Sequence, residues 1–162
     1  MATVKQKAID TFVQLLKDNN SFVRSATATS LGKTGIKEVI GALKELLQDK
    51  KGGVRSAAAE ALGKLVAKET VPDLKKLLTD TNVLVRSSVA EALGRMGEKE
   101  AVDSLMKLLN DTRAIVRSSA ASILGELGAK EATPTLEKLK DDRISLVSNA
   151  AKAALKKLGE KK

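Results

Sequence analysis

The sequence contains no cysteine and no histidine. Disulfides are thereby excluded, together with thiolate and imidazole metal sites and every catalytic arrangement built on His or Cys. Tryptophan and tyrosine are also missing, and Phe12 and Phe22 are the only aromatic residues among 162. A core must then be assembled from Leu, Val, Ile and much Ala, side chains small enough for helices to approach closely. There is no Trp or Tyr platform on which nucleic-acid bases could stack. No stretch approaches the roughly 18 apolar residues of a membrane span, and the opening MATVKQKAID carries charge without a continuous apolar run. A cytoplasmic location is the resulting expectation. Lys and Arg outnumber Asp and Glu by 29 to 20, a net charge of +9. Such an excess attracts polyanions or simply keeps a protein in solution, and the placement of the charges decides between the two.

What the chain has in abundance is repetition. Asp18, Asp49, Asp80, Asp111 and Asp142 follow one another at steps of 31 residues, and Arg24, Arg55, Arg86 and Arg117 keep the same step. A constant period of this size marks a solenoid, in which each unit buries its apolar face only against its neighbours. Within a unit the apolar residues recur at helical spacing. Val71, Leu74, Leu77 and Leu78 form one stripe, whereas Val85, Val89, Ala90, Ala92, Leu93 and Met96 cover more than one face, as a helix enclosed by neighbours requires. The pattern predicts a single domain over residues 1–162, built from five helical hairpins at about 4–33, 37–64, 68–96, 99–126 and 130–158. Outer helices are expected near 4–17, 37–48, 68–79, 99–110 and 130–141, and inner ones near 21–33, 53–64, 83–96, 115–126 and 145–158.

Gly35, Gly97, Gly128 and Gly159 stand where a helix ending calls for a left-handed residue, and Val66 takes that place in one unit. In the fifth unit Ser148, Lys152 and Lys156 replace the Arg117, Ala121 and Gly125 of the fourth. Charge on that side is the wet outer face of a terminal repeat, so the stack is expected to end there and the protein to be a monomer.

The stretch DTNVLVRSSVAEALGRMGEKEAVDSLMKLL, residues 80–109, and its copies resemble HEAT-like repeats of the short bacterial and archaeal kind named after phycobilisome lyase subunits. The resemblance covers all five units. It implies an all-α fold, a right-handed α–α superhelix with the second helices on the concave side, and protein binding as the usual role. Enzymes of this fold add parts that the chain lacks: deoxyhypusine hydroxylases hold iron with His–Glu pairs, and HEAT-like DNA glycosylases use aromatic and acidic groove residues. The expectation is therefore a binding protein without catalytic residues, metal or cofactor.

Two constellations follow. Asp18 with Arg24, Asp49 with Arg55, Asp80 with Arg86 and Asp111 with Arg117 are six residues apart and expected to pair within each unit, in what the resembled family uses as a structural ladder. On the concave face the expected partner-binding residues are Phe22, Leu84, Ile115 and Leu146 for burial, and Ser56, Ser87, Ser88, Ser118 and Ser119 for close approach and hydrogen bonding. Lys64 and Arg95, each one turn after a glutamate (Glu60 and Glu91), would steer the partner, and Glu91 belongs to the same face. The small residues fit a groove for a peptide or helix, and they equally fit crowding between neighbouring inner helices. The expected partner is a protein or peptide, acidic on grounds of charge; nucleic acid held by the basic surface is the second reading.

Overall fold

The structure is a computed structural model that describes residues 3–160, apart from the side chain of Glu100. It contains ten α-helices and no strand among the described residues. They are α1 (Val4–Leu15), α2 (Ser21–Leu31), α3 (Ile40–Glu45), α4 (Gly52–Lys64), α5 (Val71–Lys76), α6 (Val83–Met96), α7 (Val102–Leu108), α8 (Ala114–Leu127), α9 (Thr133–Leu139) and α10 (Ser145–Glu160). Odd and even helices pair as five hairpins, and each even helix also packs on the next, α2 on α4 and so on to α10. The result is an α-solenoid.

The period of 31 seen in the sequence is a period of the core. Leu43, Leu74, Leu105 and Leu136 are fully buried from the odd helices, and Leu31, Leu62, Leu93 and Leu124 from the even ones. Val54, Val85, Val116 and Val147 occupy a third buried column. A single apolar cluster runs from Ile9 to Leu158.

The odd helices are shorter than their apolar stripes suggest. Residues 37–39, 68–70, 99–101 and 130–132 form 3₁₀ turns ahead of α3, α5, α7 and α9, and residues 46–48 and 77–79 form 3₁₀ turns behind α3 and α5. These helices have no side-chain N-cap. The tighter winding gives partners to backbone groups that a straight α-helix end would leave open.

Gly35, Gly97 and Gly128 have φ of 72°, 71° and 72°, the left-handed conformation required after a helix end. Gly159 does not share it: α10 continues through it to Glu160, so the expected helix ending at that residue is corrected. Val66 carries the turn in its own unit at φ 53°. A branched side chain pays sterically for that backbone.

A second glycine column serves a different purpose. A Cβ on Gly32, Gly63 or Gly125 would lie 2.7 Å from the Cα of Ala61, Ala92 or Ala154 on the next even helix. Only hydrogen fits at this crossing. The corresponding position of α10 is Lys156, which is exposed.

Three substitutions read out these backbone demands. Val66→Gly should stabilise the fold by about 0.5–1 kcal/mol, because relief of a left-handed cost of about 1–2 kcal/mol exceeds the added chain entropy of glycine. Gly63→Ala should destabilise it by about 1–3 kcal/mol despite the better helix propensity of alanine, since the Ala92 backbone must move. Gly41→Ala, where a Cβ meets nothing within 4 Å, should instead stabilise by about 0.5–1 kcal/mol. Urea denaturation of the three variants checks all three signs.

Candidate partner-binding face

The loops entering the even helices carry a ladder of ion pairs, and its register differs from the expected one. Arg24 does not pair with the carboxylate of Asp18. Its Nε and Nη2 donate to Asp49 of the next unit at 2.7 and 3.0 Å, while its Nη1 donates to the backbone carbonyl of Asp18 at 2.7 Å. Arg55 does the same to Asp80 and the Asp49 carbonyl, and Arg86 to Asp111 and the Asp80 carbonyl. Arg117 closes the series on Asp142 and the Asp111 carbonyl. The within-unit pairing of Asp49 with Arg55, Asp80 with Arg86 and Asp111 with Arg117 is therefore corrected to pairing 25 residues ahead.

The reason lies in what each aspartate already does. One carboxylate oxygen of Asp18, Asp49, Asp80, Asp111 and Asp142 accepts the N–H two residues on, which folds the side chain into the turn. The carboxylate then faces the preceding unit, and the planar guanidinium of that unit meets both oxygens. The side chains of the four rungs are largely enclosed, with exposures of 7–16%. Burial alone would raise the carboxyl pKa of Asp49, Asp80 and Asp111. The arginine hydrogen bond, the turn N–H and the nearby guanidinium charges together outweigh it and hold all three below the usual aspartate value. Asp142 is also lowered, chiefly by the Ile144 N–H.

The ladder fixes the even helices side by side, and their first turns present one apolar residue each. Phe22, Leu84, Ile115 and Leu146 are the second residues of α2, α6, α8 and α10, and are 76%, 55%, 43% and 52% exposed. In α4 this place belongs to Gly53, where a Cβ would meet nothing within 4 Å. None of the four belongs to the buried core of the stack.

The serines differ in what they offer. Ser87, Ser118 and Ser119 are buried. Ser87 and Ser119 bond each other through their hydroxyls at 2.9 Å, and Ser118 donates to the Ile115 carbonyl at 3.1 Å. The expectation that Ser87 and Ser118 serve close approach and hydrogen bonding to a partner is corrected: both are buried, the Ser87 hydroxyl bonded to Ser119 of the next even helix and that of Ser118 to its own helix. Ser56 and Ser88 are half-buried and bonded to each other at 2.8 Å.

Farther along the same face, an open cleft of about 360 Å³ lies between α6, α8 and α10. Glu91, Arg95, Glu126, Ile123 and Leu146 stand around it, with Ser118 and Ser119 in its floor. Lys64 lies outside this cleft and is paired with Glu60 one turn earlier. Glu126 pairs with Lys157 at 3.4 Å, and Glu91 accepts from Ser119 at 3.4 Å. Arg95 has no ion-pair partner among the described residues. Ser122 and Ile123, which the sequence did not single out, line the cleft as well, together with Ala150. Their helical register beside Arg95, Ser118 and Leu146 was the available signal. Among the described residues no three His, Cys, Asp or Glu side chains converge as metal ligands would, and no helix is long and apolar enough to cross a membrane.

Residues 2–63, 52–122 and 71–156 each match the family of HEAT repeats. The chain belongs to that family. Among curated proteins, none matches the sequence. Solved HEAT-like and related solenoids superimpose well. In the complex of CpcE and CpcF of phycocyanin lyase from Nostoc sp. PCC7120, the similar chain is 26% identical with a TM-score of 0.84, over 94% of this chain and 65% of that one. YibA of E. coli is 21% identical with a TM-score of 0.80, over 96% and 63%. This HEAT chain thus spans a little under two thirds of the length of both. A designed armadillo repeat protein in complex with the peptide (KR)4 is 22% identical with a TM-score of 0.69, over 96% and 83%.

The ladder predicts an acid transition of definite sign. Because the folded pKa values of Asp49, Asp80 and Asp111 lie below the unfolded value of about 3.9, the unfolded chain binds more protons between the two. Stability from the rungs is present above about pH 4 and is lost as pH falls through the folded values. Asp80→Asn should lower Tm clearly at pH 7 and progressively less as the pH falls through the folded pKa of Asp80, below which the wild-type carboxylate is itself protonated. Calorimetry across that range reads the difference.

Proposed function

We propose that this HEAT-repeat chain is a non-enzymatic interaction protein that holds a peptide or protein segment on its even-helix face. The observation that carries the reading is the column of Phe22, Leu84, Ile115 and Leu146. It is apolar, exposed, repeated at each unit except the one with Gly53, and outside the buried core of the stack. Burying such side chains contributes about 25 cal/mol per Å² of apolar surface removed from water. Beside it the cleft bounded by Glu91, Arg95 and Glu126 supplies polar groups that can fix orientation. HEAT and armadillo-like solenoids are protein-interaction folds, and the two complexes among the similar structures fit that use.

Leu84→Asp combined with Ile115→Asp should abolish partner recovery from native lysate while leaving the helical circular dichroism unchanged, because neither side chain supports the core. Equal recovery by the folded double variant and the wild type would remove this face from consideration.

A further inference from the structure

The edge of the stack where the even helices begin is cationic in a way the ladder does not use. Lys50 and Lys51 immediately precede α4, Arg113 is the N-cap of α8, and Arg143 lies two residues ahead of α10. All four are exposed, and none has an ion-pair partner among the described residues. The carboxylates of Asp49, Asp80, Asp111 and Asp142 on this edge are already taken by the ladder arginines, which leaves Asp18 and Asp141 as its other acidic groups. On the groove itself the acidic groups are already partnered: Glu60 pairs with Lys64, Glu126 with Lys157, and Glu91 accepts from Ser119. The acidic groups have partners and the rim cations do not. The electrostatic demand left over is for an anion.

The rim also adjoins the apolar column. Lys51, Phe22 and Gly53 line one open cleft of about 320 Å³. Arg113 is two residues from Ile115, and Arg143 is three from Leu146. Since α4 lies between α2 and α6, the empty space over Gly53 is a socket in the column.

We infer that the occupant of this face is an acidic, aliphatic protein segment. Its Leu, Ile or Val side chains lie on Phe22, Leu84, Ile115 and Leu146, with one seated over Gly53, and its Asp and Glu residues face Lys50, Lys51, Arg113 and Arg143. The inference rests on the reading that the even-helix face binds a partner, and adds the partner's charge and the direction it faces. The basic peptide of the armadillo protein would be repelled by this rim. A nucleic acid would engage the rim and leave the aliphatic column uncovered, since Phe22 alone offers a ring for stacking.

The test is selection of a displayed library of random segments, about 16 residues long, on the full chain, followed by fluorescence anisotropy with the enriched peptides. Enriched sequences should carry more Asp and Glu than Lys and Arg, interleaved with Leu, Ile or Val. Their affinity should fall about tenfold or more in K50E/K51E/R113E/R143E and in L84D/I115D, and should weaken as salt rises. Gly53→Leu, which fills the socket without touching the core, should also weaken binding. Neutral or basic peptides that bind wild type and are lost in L84D/I115D would keep the face and overturn the acidic assignment. No enrichment above the L84D/I115D background would overturn both. A labelled single strand of about 20 nucleotides that binds more tightly than any selected peptide, is lost on rim reversal and survives L84D/I115D would assign the rim to nucleic acid and overturn the inference.

Discussion

Each arginine of the ladder holds two units at once. Its Nη1 is anchored on the carbonyl of its own unit's aspartate, and its Nε and Nη2 grip the carboxylate of the next. That carboxylate is in turn pinned by the N–H two residues on. Nothing in the chain Asp49 carbonyl, Arg55, Asp80, Asn82 is free to rotate independently, so the rung sets both the distance and the rotation between neighbours. Charges this enclosed cost desolvation, and the bidentate geometry offsets it. In a stack whose units touch only their neighbours, one repeated rung propagates to the shape of the whole surface.

The glycine column allows what the ladder demands. Gly32, Gly63 and Gly125 admit the backbone of the next even helix where a methyl group would collide with it. Helices held so close close off the space between them, and Ser87, Ser118 and Ser119 are consequently sealed and bonded to groups within the stack. What stays outside is set by position: Phe22, Leu84, Ile115 and Leu146, second in their helices, lie at the surface rather than in the core. Phe22, Leu84, Ile115 and Leu146 are apolar there without a structural need. Rigidity of the frame also favours binding, since a preformed surface loses little entropy on taking a partner.

The period, the helix count and the buried columns were all legible in the sequence, because each depends on spacing within or between copies. The ladder's partners were not. Asp80 and Arg86 are near in sequence, and only the stack shows that Asp80 turns its carboxylate back to Arg55. The glycine crossings were hidden for the same reason: Gly63 reads as part of a helix ending until Ala92 of the next unit is seen against it. Gly159 matched its column in sequence alone, whereas in the structure it lies within α10, without positive φ. Phe22, Leu84, Ile115 and Leu146 are exposed in the stack, whereas burial of the serines depended on an interhelical distance no single unit encodes.

The claim that the rungs run between units is tested most directly by double-mutant cycles read in urea denaturation. The account predicts that Arg55→Ala and Asp80→Ala couple well beyond the additive error of about 0.5 kcal/mol, and that Arg86→Ala and Asp80→Ala couple much less. Equal coupling of the two pairs, or stronger coupling of Asp80 to Arg86, would contradict it.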